Sequence, residues 1–322
     1  MKIGLYSITY RGVWYRGGAV GLLDLVRLAK QQGWEGLELD AERPHAAPMD
    51  LSADDRIRLR DLAGEVGVEL CAVSPNCDLS SPVPVQREAM ICYVRECIKL
   101  AQDLGSPICK LFAAWRGITL YDGLATYDDT YGHNPYPFWK GDRRHFVVES
   151  MRELCKVAED HGIVLAMQNH GPDIVNRYQD VLSLIEEVGS PVFKACMDIN
   201  IEPEADSPVH AREMAAASGP LQIHSHMNGE FARRPDGTSE LVAGGYFDEH
   251  FWGRQVAYPA YVEALVSAGY QGYMDWEFCH PALENGRPAD IDYVHNQTRM
   301  AFDYLSALRA TAELKAQATT AG

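Results

Sequence analysis

The sequence predicts an α/β protein of the (β/α)8 barrel type, and three observations support this prediction. Eight short apolar runs alternate with helical segments along most of the 322 residues, as expected for a parallel sheet. Glycines follow most of the helical segments, where helices commonly end. Four apolar runs in the second half end in a polar residue that can bind a metal ion. A parallel barrel builds its active site from the carboxyl ends of its strands, so these residues belong on one face.

The first half of the chain contains four strand–helix units. Strand one is predicted over residues 2–7, and the helix over 20–32 stops at Gly33. Strand two, 36–40, leads to a helix over 53–66 that stops at Gly67. Strand three, 69–74, precedes a helix over 85–104 that stops at Gly105. Strand four covers 108–113, and its helix covers 143–161 and ends before Gly162. Each predicted strand is a short apolar run with turn residues nearby.

The second half repeats this pattern. Apolar runs lie within residues 164–171, 193–200, 221–229 and 273–281, and the helices that follow them are predicted over 179–188, 208–217, 259–268 and 291–310. Gly189 and Gly269 mark helix ends as before. A doubly wound open sheet would give the same alternation of strands and helices. However, no G-x-G-x-x-G motif follows strand one and no phosphate loop is present. We predict one barrel over residues 1–312 and a flexible tail over 313–322.

Three predicted loops are longer than a barrel needs. They cover residues 11–19, 114–142 and 228–255 and follow strands one, four and seven, so they belong on the catalytic face. Long loops of this kind are usually functional. All three contain aromatic residues, which could stack on a sugar or an aromatic ligand, pin the loops to the barrel, or form a subunit interface. The sequence leaves these three roles open.

The composition argues against several classes of protein. The chain is 47% hydrophobic and 23% charged, as in ordinary globular proteins. A net charge of −16 argues against nucleic acids and anionic membrane surfaces as partners. None of the eight cysteines forms a C-x-x-C pair, which favours buried thiols in a reducing compartment. The N-terminus lacks signal-peptide features and no apolar run is long enough to span a bilayer, so we predict a cytoplasmic protein.

The polar residues that end strands five to eight form a predicted metal site. They are Gln168, Asp198, His224 and Glu277. A carboxylate within an apolar run needs a partner or an ion, and pairing with a neighbouring Lys or Arg is the alternative for Asp198. Asp275 shares a face with Glu277 and is a candidate deeper partner. Mixed oxygen and nitrogen ligands suit one divalent ion. We predict Mn²⁺, and Mg²⁺, Co²⁺ and Zn²⁺ remain alternatives.

Histidines near these ligands are candidates for acid–base chemistry. His226 shares a strand face with His224 and is predicted to contact the substrate. His170 shares a face with Gln168, and the ordinary pKa of histidine suits a general base. A structural hydrogen bond to the Gly171 turn is the alternative for His170. Further catalytic candidates are His145 and His280, and further candidate substrate contacts are Lys110, Trp115, His133 and Arg234.

These segments resemble a known family. The motifs MQNH, CMDIN, IHSHMNG and DWEF, and the pattern of essentially the whole chain, are similar to the sugar-phosphate isomerase/epimerase family of xylose-isomerase-like barrels. The resemblance implies one Mn²⁺, Mg²⁺ or similar ion held by Glu, Asp, His and Glu. That ion would polarise the carbonyl and hydroxyl of a sugar while flanking groups move a proton on the adjacent carbon.

The chain departs from the family pattern at two positions. Gln168 stands where a glutamate is usual, and a glutamine cannot take a proton at neutral pH. Ile201 stands where a histidine often follows the aspartate. A simple epimerase with two carboxylate bases is therefore in doubt, and His170 or His145 would have to supply the lost base.

A narrower resemblance fits these departures. The QNH element, the aromatic loop after strand four and the EFCHP ending are similar to the large subunit of bacterial C-glycoside deglycosidases. This resemblance implies a metal-dependent lyase that abstracts a proton next to the ketone of a 3-keto sugar conjugate and then eliminates the aglycone. It also implies a small β-rich partner subunit and hence a hetero-oligomer. The alternatives are an isomerase, epimerase or dehydratase acting on a ketose or keto-inositol, and a scaffold barrel without catalysis.

Overall fold

Eight parallel strands form a closed barrel in a computed structural model of the chain, which describes residues 1–127, 133–171, 174–243 and 255–320. β1 closes the barrel by pairing with the last strand, with Lys2 opposite Tyr273. The predicted (β/α)8 fold is confirmed. The barrel strands are β1 (Lys2–Tyr6), β2 (Gly36–Asp40), β3 (Glu69–Ser74), β4 (Ile108–Leu111), β5 (Val164–Gln168), β6 (Phe193–Asp198), β7 (Gln222–Asn228) and β8 (Tyr273–Glu277).

Within the described ranges, eight α-helices surround the barrel. At the end of the first, the N–H of Gly33 donates to the carbonyls of Ala29 and Lys30 with φ at +93°, a conformation that glycine adopts readily. Gly67, Gly105, Gly162 and Gly189 end later helices in the same left-handed conformation, as predicted. The helices are α1 (Leu22–Gln32), α2 (Ala53–Val66), α3 (Pro84–Leu104), α4 (Arg144–His161), α5 (Tyr178–Val188), α6 (Pro208–Ser218), α7 (Tyr258–Ser267) and α8 (Ile291–Thr320).

The last helix differs from the prediction. The sequence predicted that it stops at residue 310 and that a flexible tail begins at 313, whereas α8 continues to Thr320. The added residues include three alanines and one each of Glu, Leu, Lys and Gln, all of which favour helices. Lys315 Nζ also bonds Glu263 Oε2 on α7 at 2.7 Å. Local propensity and this contact therefore extend the helix.

The predicted loops contain short elements of their own. A 3-10 helix (Ser7–Tyr10) follows β1, and two-stranded hairpins follow β4 (Thr119–Tyr121 with Leu124–Thr126) and β7 (Glu230–Arg233 with Ser239–Ala243). A small hairpin after β8 (Leu283–Glu284 with Arg287–Pro288) was not predicted. Several of the loop residues expected to carry aromatic or polar contacts lie outside the described residues: Tyr131, Tyr246, Phe247, His250, Phe251 and Trp252.

The barrel interior is polar at its carboxyl end, while the layer between strands and helices is apolar. Among the side chains buried in that apolar core are Trp34, Phe193, Tyr258 and Trp276. All eight cysteines are free; seven are buried and Cys92 is exposed. No helix among the described residues combines the length and hydropathy needed to cross a bilayer.

Candidate active site

Polar side chains inside the barrel converge on Glu38 of β2, which is fully buried. Its Oε2 accepts hydrogen bonds from Nε2 of His224 (2.8 Å) and from Nε2 of His226 (2.7 Å). Its Oε1 accepts a hydrogen bond from Ser74 Oγ at 2.5 Å. Lys110 Nζ lies 3.6 Å from the same Oε1. One carboxylate therefore holds two histidines from β7 and faces a lysine from β4.

The two histidines lie at different depths in the barrel. His224 Nε2 also lies 3.2 Å from Oδ2 of Asp275, as the prediction of a deeper partner on β8 required. His226 comes two residues later on β7 and is nearer the mouth. Its Nδ1 lies 3.5 Å from Glu277 Oε1 and makes no hydrogen bond to the described residues. Because Nε2 donates its proton to Glu38, Nδ1 of a neutral His226 carries a lone pair.

Asp198, His226 and Glu277 form a compact group of potential metal ligands. Each offers one atom, and the three atoms all lie within 4.8 Å of one another. Gln168 borders this group, because its Nε2 donates to Asp198 Oδ2 at 3.4 Å. Gln168 Oε1 is buried and has no hydrogen-bond partner in the described part of the chain.

These observations fit a divalent cation. Gln168 Oε1 is a lone-pair donor that would be costly to bury without a partner, and His226 Nδ1 becomes a second lone-pair donor when the ring is neutral. The carboxylates supply the oxygen ligands that hard divalent ions prefer. A histidine that donates its other N–H to a carboxylate is the usual arrangement of a metal ligand. The buried cluster is thus consistent with a divalent metal site.

The charges of the cluster favour a cation as well. Burial and then the nearby Glu277 carboxylate raise the pKa of Asp198 to about 8, against the opposing effect of His226. Burial alone would lower the pKa of His226, but Glu38 and Glu277 outweigh it and raise this pKa to about 10. Asp198 and His226 thus hold protons that a bound cation could replace, whereas His226 outweighs burial and lowers the pKa of Glu277.

The structure brings together three of the four predicted metal ligands, and the fourth, His224, belongs to a neighbouring group of possible ligands with Glu38 and His226. Gln168, Asp198 and Glu277 meet as predicted, whereas His226, not His224, lies beside them. The reason is strand register, because Asp198 of β6 pairs opposite His226 of β7. His224 lies one layer deeper than His226, beside Asp275.

Asn169 connects the ends of β5 and β6. Its Nδ2 donates to the carbonyl of Asp198 (2.9 Å) and to Glu202 Oε1 (2.8 Å), and its Oδ1 accepts from the Asp198 N–H at 2.8 Å. Glu202 Oε2 is bonded to His210 Nε2 at 3.1 Å. Glu202 and His210 also form a possible ligand group with Glu204. Hydrogen bonds already engage both oxygens of Glu202, so this group is structural.

His170 lies on the edge of the same site. Its Nδ1 donates to the Gly171 carbonyl at 2.9 Å, as the structural alternative predicted. Burial lowers the pKa of His170 to about 4. Its ring meets Phe112 edge-on, with centroids 5.0 Å apart. Phe112 also lies 4.1 Å from Lys110 Nζ and stacks with Trp115 at 6.0 Å. Phe112 therefore links three predicted site residues.

The remaining predicted residues lie farther from the ligand group. His280 is buried after β8, where its ring packs on Phe278 at 4.1 Å and its Nδ1 lies 4.0 Å from Glu230 Oε1. Burial lowers the pKa of His280 to about 4. Three other candidates are exposed: His133, His145 and Arg234. Arg234 bonds Glu240 at 2.7 Å within the hairpin after β7.

The sequence did not predict Glu38 as part of the site. The signal was present, because β2 ends in GLELD, with Glu38 and Asp40 on one face of an apolar run. The same reasoning that selected Asp198 and Glu277 applies to this strand. Tyr6 was also missed, although its ring lies 5.5 Å from the ring of His226.

Comparison with known proteins identifies the family. Residues 26–297 match the model of the xylose isomerase-like TIM barrels, so the chain belongs to that family. A curated relative is the 2-epi-5-epi-valiolone 7-phosphate 2-epimerase of Actinoplanes sp., 26% identical over 173 residues, which are 54% of this chain and 55% of the relative. The chain thus spans about half the length of that relative.

Solved structures with the same fold cover nearly the whole chain. D-psicose 3-epimerase from Clostridium cellulolyticum H10 has 20% identity and a TM-score of 0.69, covering 96% of this chain and 99% of its own. The 3-keto-D-glucoside 4-epimerase of E. coli has 18% identity and a TM-score of 0.63, covering 96% and 99%. A probable 3-DHS dehydratase of Bacillus anthracis has 16% identity and a TM-score of 0.64, covering 94% and 98%. At these identities the likeness establishes the fold.

Proposed function

We propose that this protein is a divalent-metal-dependent enzyme that removes a proton from the carbon next to the ketone of a sugar. The observation that carries the proposal is the convergence of Asp198, His226 and Glu277 beside the unpaired Oε1 of Gln168. Mn²⁺ suits this mixture of oxygen and nitrogen donors, and Mg²⁺, Co²⁺ and Zn²⁺ are alternatives. A bound ion of this kind supplies Lewis-acid stabilisation of charge that develops on the ketone oxygen.

His170 is the proposed general base. Gln168 cannot accept a proton, so this strand offers His170 instead of the carboxylate that its family pattern would have. Donation of the Nδ1 proton to the Gly171 carbonyl fixes the tautomer in which Nε2 carries the lone pair. Contact with Phe112 holds the ring in its orientation. General-base catalysis of this type contributes about 10²- to 10⁴-fold.

Two candidate activities differ in the step after proton removal. In the first, an isomerase or epimerase returns the proton to the sugar, or a dehydratase expels water. The structural neighbours include a D-psicose 3-epimerase and a 3-keto-D-glucoside 4-epimerase, which favours this class and makes keto sugars the first substrates to test.

The second candidate is elimination of an aglycone from a 3-keto C-glycoside. The glutamine at position 168 favours it, because elimination removes one proton from the sugar with one base and the departing aglycone carbon takes up a proton from solvent, whereas two-base epimerisation needs an acid–base group on each face. The Phe112–Trp115 stack next to His170 offers a surface for a flat aglycone. This activity would come with a small β-rich partner subunit in a hetero-oligomer.

Proton exchange with solvent tests the proposal. The Mn²⁺-loaded protein is incubated in D₂O with D-psicose, methyl 3-oxo-β-D-glucopyranoside and a 3-oxo flavonoid C-glucoside, and NMR follows the sugar. We expect deuterium next to the ketone, or release of water or aglycone. His170→Gln should lose this activity yet keep its metal, and the exposed His145→Gln is the matched control. Absence of exchange and cleavage with all three substrates contradicts the proposal.

A further inference from the structure

Four buried polar atoms near the mouth of the barrel have no hydrogen-bond partner among the described residues. We call their residues the polar wall: Tyr6 (Oη), Arg11 (Nη1), Asp40 (Oδ2) and Lys110 (Nζ). They come from the first, second and fourth strand–helix units, and all but Arg11 are almost fully buried. A buried polar group without a hydrogen bond costs free energy even where an opposite charge lies nearby. Four such groups on one wall therefore indicate a polar ligand that pairs with them.

The polar wall adjoins the metal-ligand group. Lys110 Nζ lies 4.9 Å from the centroid of the Tyr6 ring, which in turn lies 5.5 Å from the ring of His226. Asp40 follows Glu38 on the same face of β2, and Arg11 Nε lies 3.4 Å from Asp40 Oδ2. Tyr6 and Lys110 therefore lie beside His226 and Glu38, and Asp40 and Arg11 extend the wall at the end of β2.

We propose that the polar wall binds the hydroxyl groups of an unphosphorylated sugar, at the end of the ring remote from the ketone. This inference rests on the proposed function, since it places the ketone at the ligand group. The wall mixes donors and acceptors: the tyrosine hydroxyl does both, the carboxylate accepts, and the two cations donate. Vicinal hydroxyls of a sugar present the same mixture.

The charges of the polar wall disfavour a phosphate. The Arg11 guanidinium already pairs with Asp40 and with Glu42. Lys110 faces Glu38 at 3.6 Å. Each cation thus has a carboxylate of its own, and the wall offers none of the surplus positive charge with which arginine clusters bind phosphate. A phosphate dianion would also be repelled by the ionised form of Asp40, whose pKa burial raises to about 7.

Paired ligands test the polar wall. Binding of methyl 3-oxo-β-D-glucopyranoside and of its 6-phosphate is measured by calorimetry with the Mn²⁺-loaded protein. We expect the neutral glycoside to bind at least tenfold more tightly than the phosphate. Tyr6→Phe and Asp40→Asn should each weaken binding of the glycoside about tenfold, the effect of one lost hydrogen bond. Tyr10→Phe is the matched control, because the Tyr10 hydroxyl is bonded to Thr298.

Three results would overturn the inference: equal or tighter binding of the phosphate, no binding of the glycoside, or unchanged affinity in both wall variants. Solvent exchange separates this failure from failure of the proposed function. If the wild type exchanges deuterium but the variants bind normally, proton abstraction stands and the subsite fails. If the expected binding differences appear without exchange in any substrate, the subsite stands and the proposed chemistry fails.

Discussion

Glu38 Oε2 accepts a 2.7 Å hydrogen bond from His226 Nε2, and this bond directs the opposite nitrogen of the ring toward Glu277. The two residues come from strands 188 positions apart in sequence. Glu38 thereby fixes both the tautomer and the orientation of His226, which belongs to the ligand group. Carboxylates in this position typically raise the basicity of the metal ligand.

Replacing Glu38 should therefore weaken metal binding without removing a ligand. We expect Glu38→Gln to lower the affinity for Mn²⁺ about 10- to 100-fold, as for other residues that orient metal-bound histidines. Calorimetric titration of metal-free protein measures the change, and Glu204→Gln serves as an exposed carboxylate control. Wild-type affinity in a folded Glu38→Gln protein would show that the hydrogen bond does not act on the metal.

The two histidines of β7 should differ when each is replaced by glutamine. A glutamine amide can keep the hydrogen bond to Glu38 but lacks a nitrogen at the position of Nδ1. We expect His226→Gln to lose Mn²⁺ affinity by more than about 100-fold because it removes a ligand, and His224→Gln to lose about tenfold or less because it acts through Glu38. Calorimetric titration of both variants with Mn²⁺ measures the two losses of affinity. A larger loss in His224→Gln than in His226→Gln would favour His224 as the ligand.

The absence of a side chain at Gly4 should be needed to leave space for Asp275, which lies beside His224 in the deeper layer of the site. A Cβ at this position would lie 1.9 Å from Asp275 Oδ1, so alanine must displace the carboxylate that faces His224. We expect Gly4→Ala to lower the free energy of unfolding by about 1–3 kcal/mol, the usual cost of overpacking. Urea denaturation measures it.

Gly64→Ala is the control for Gly4, because a Cβ at Gly64 meets nothing within 4 Å in α2. That change should stabilise the protein by about 0.5–1 kcal/mol through helix propensity. Equal effects of the two substitutions would mean that Asp275 has room to move.

The buried side chain of His45 should lower the free energy of unfolding in acid. Burial lowers its pKa from 6.5 to about 4 in the folded protein, and its Nε2 is bonded to the Val20 carbonyl at 3.1 Å. The unfolded chain therefore binds a proton between these values while the folded chain does not, so stability is present above pH 6.5 and is lost as the pH falls toward 4. A tenfold difference in proton binding is worth about 1.4 kcal/mol. Protonation of His45 in the unfolded chain therefore lowers the free energy of unfolding by on the order of 3 kcal/mol near pH 4.

The free energy of unfolding as a function of pH checks this expectation. His45→Gln should be less pH-dependent than the wild type between pH 7 and 4, while the exposed His133→Gln should follow the wild type. An unchanged slope in His45→Gln would contradict the assignment.

The fold was predictable because its signals are local. Apolar runs, helix-ending glycines such as Gly33 and the alternation of elements are all visible within about ten residues of sequence. The strand ends at Asp198 and Glu277 were predictable for a related reason, since a carboxylate in an apolar run must have a partner.

The details that the sequence alone does not give depend on long-range geometry. Alternation placed His224 and His226 on one face, but their depth depends on the register of β6 against β7, which shifts between Ala195 and Cys196. Arg234 lay in a loop that the sequence placed on the catalytic face, but the loop forms a hairpin that pairs Arg234 with Glu240.

The central claim is that Asp198, His226 and Glu277 hold one divalent ion beside Gln168, and metal analysis tests it most directly. Elemental mass spectrometry is applied to the wild type and to Asp198→Ala after incubation with Mn²⁺ and removal of excess, with Glu204→Ala as a surface control. We predict one equivalent in the wild type and the control, and none in a folded Asp198→Ala protein. A wild type without metal, or an Asp198→Ala protein that retains a full equivalent, would contradict the account.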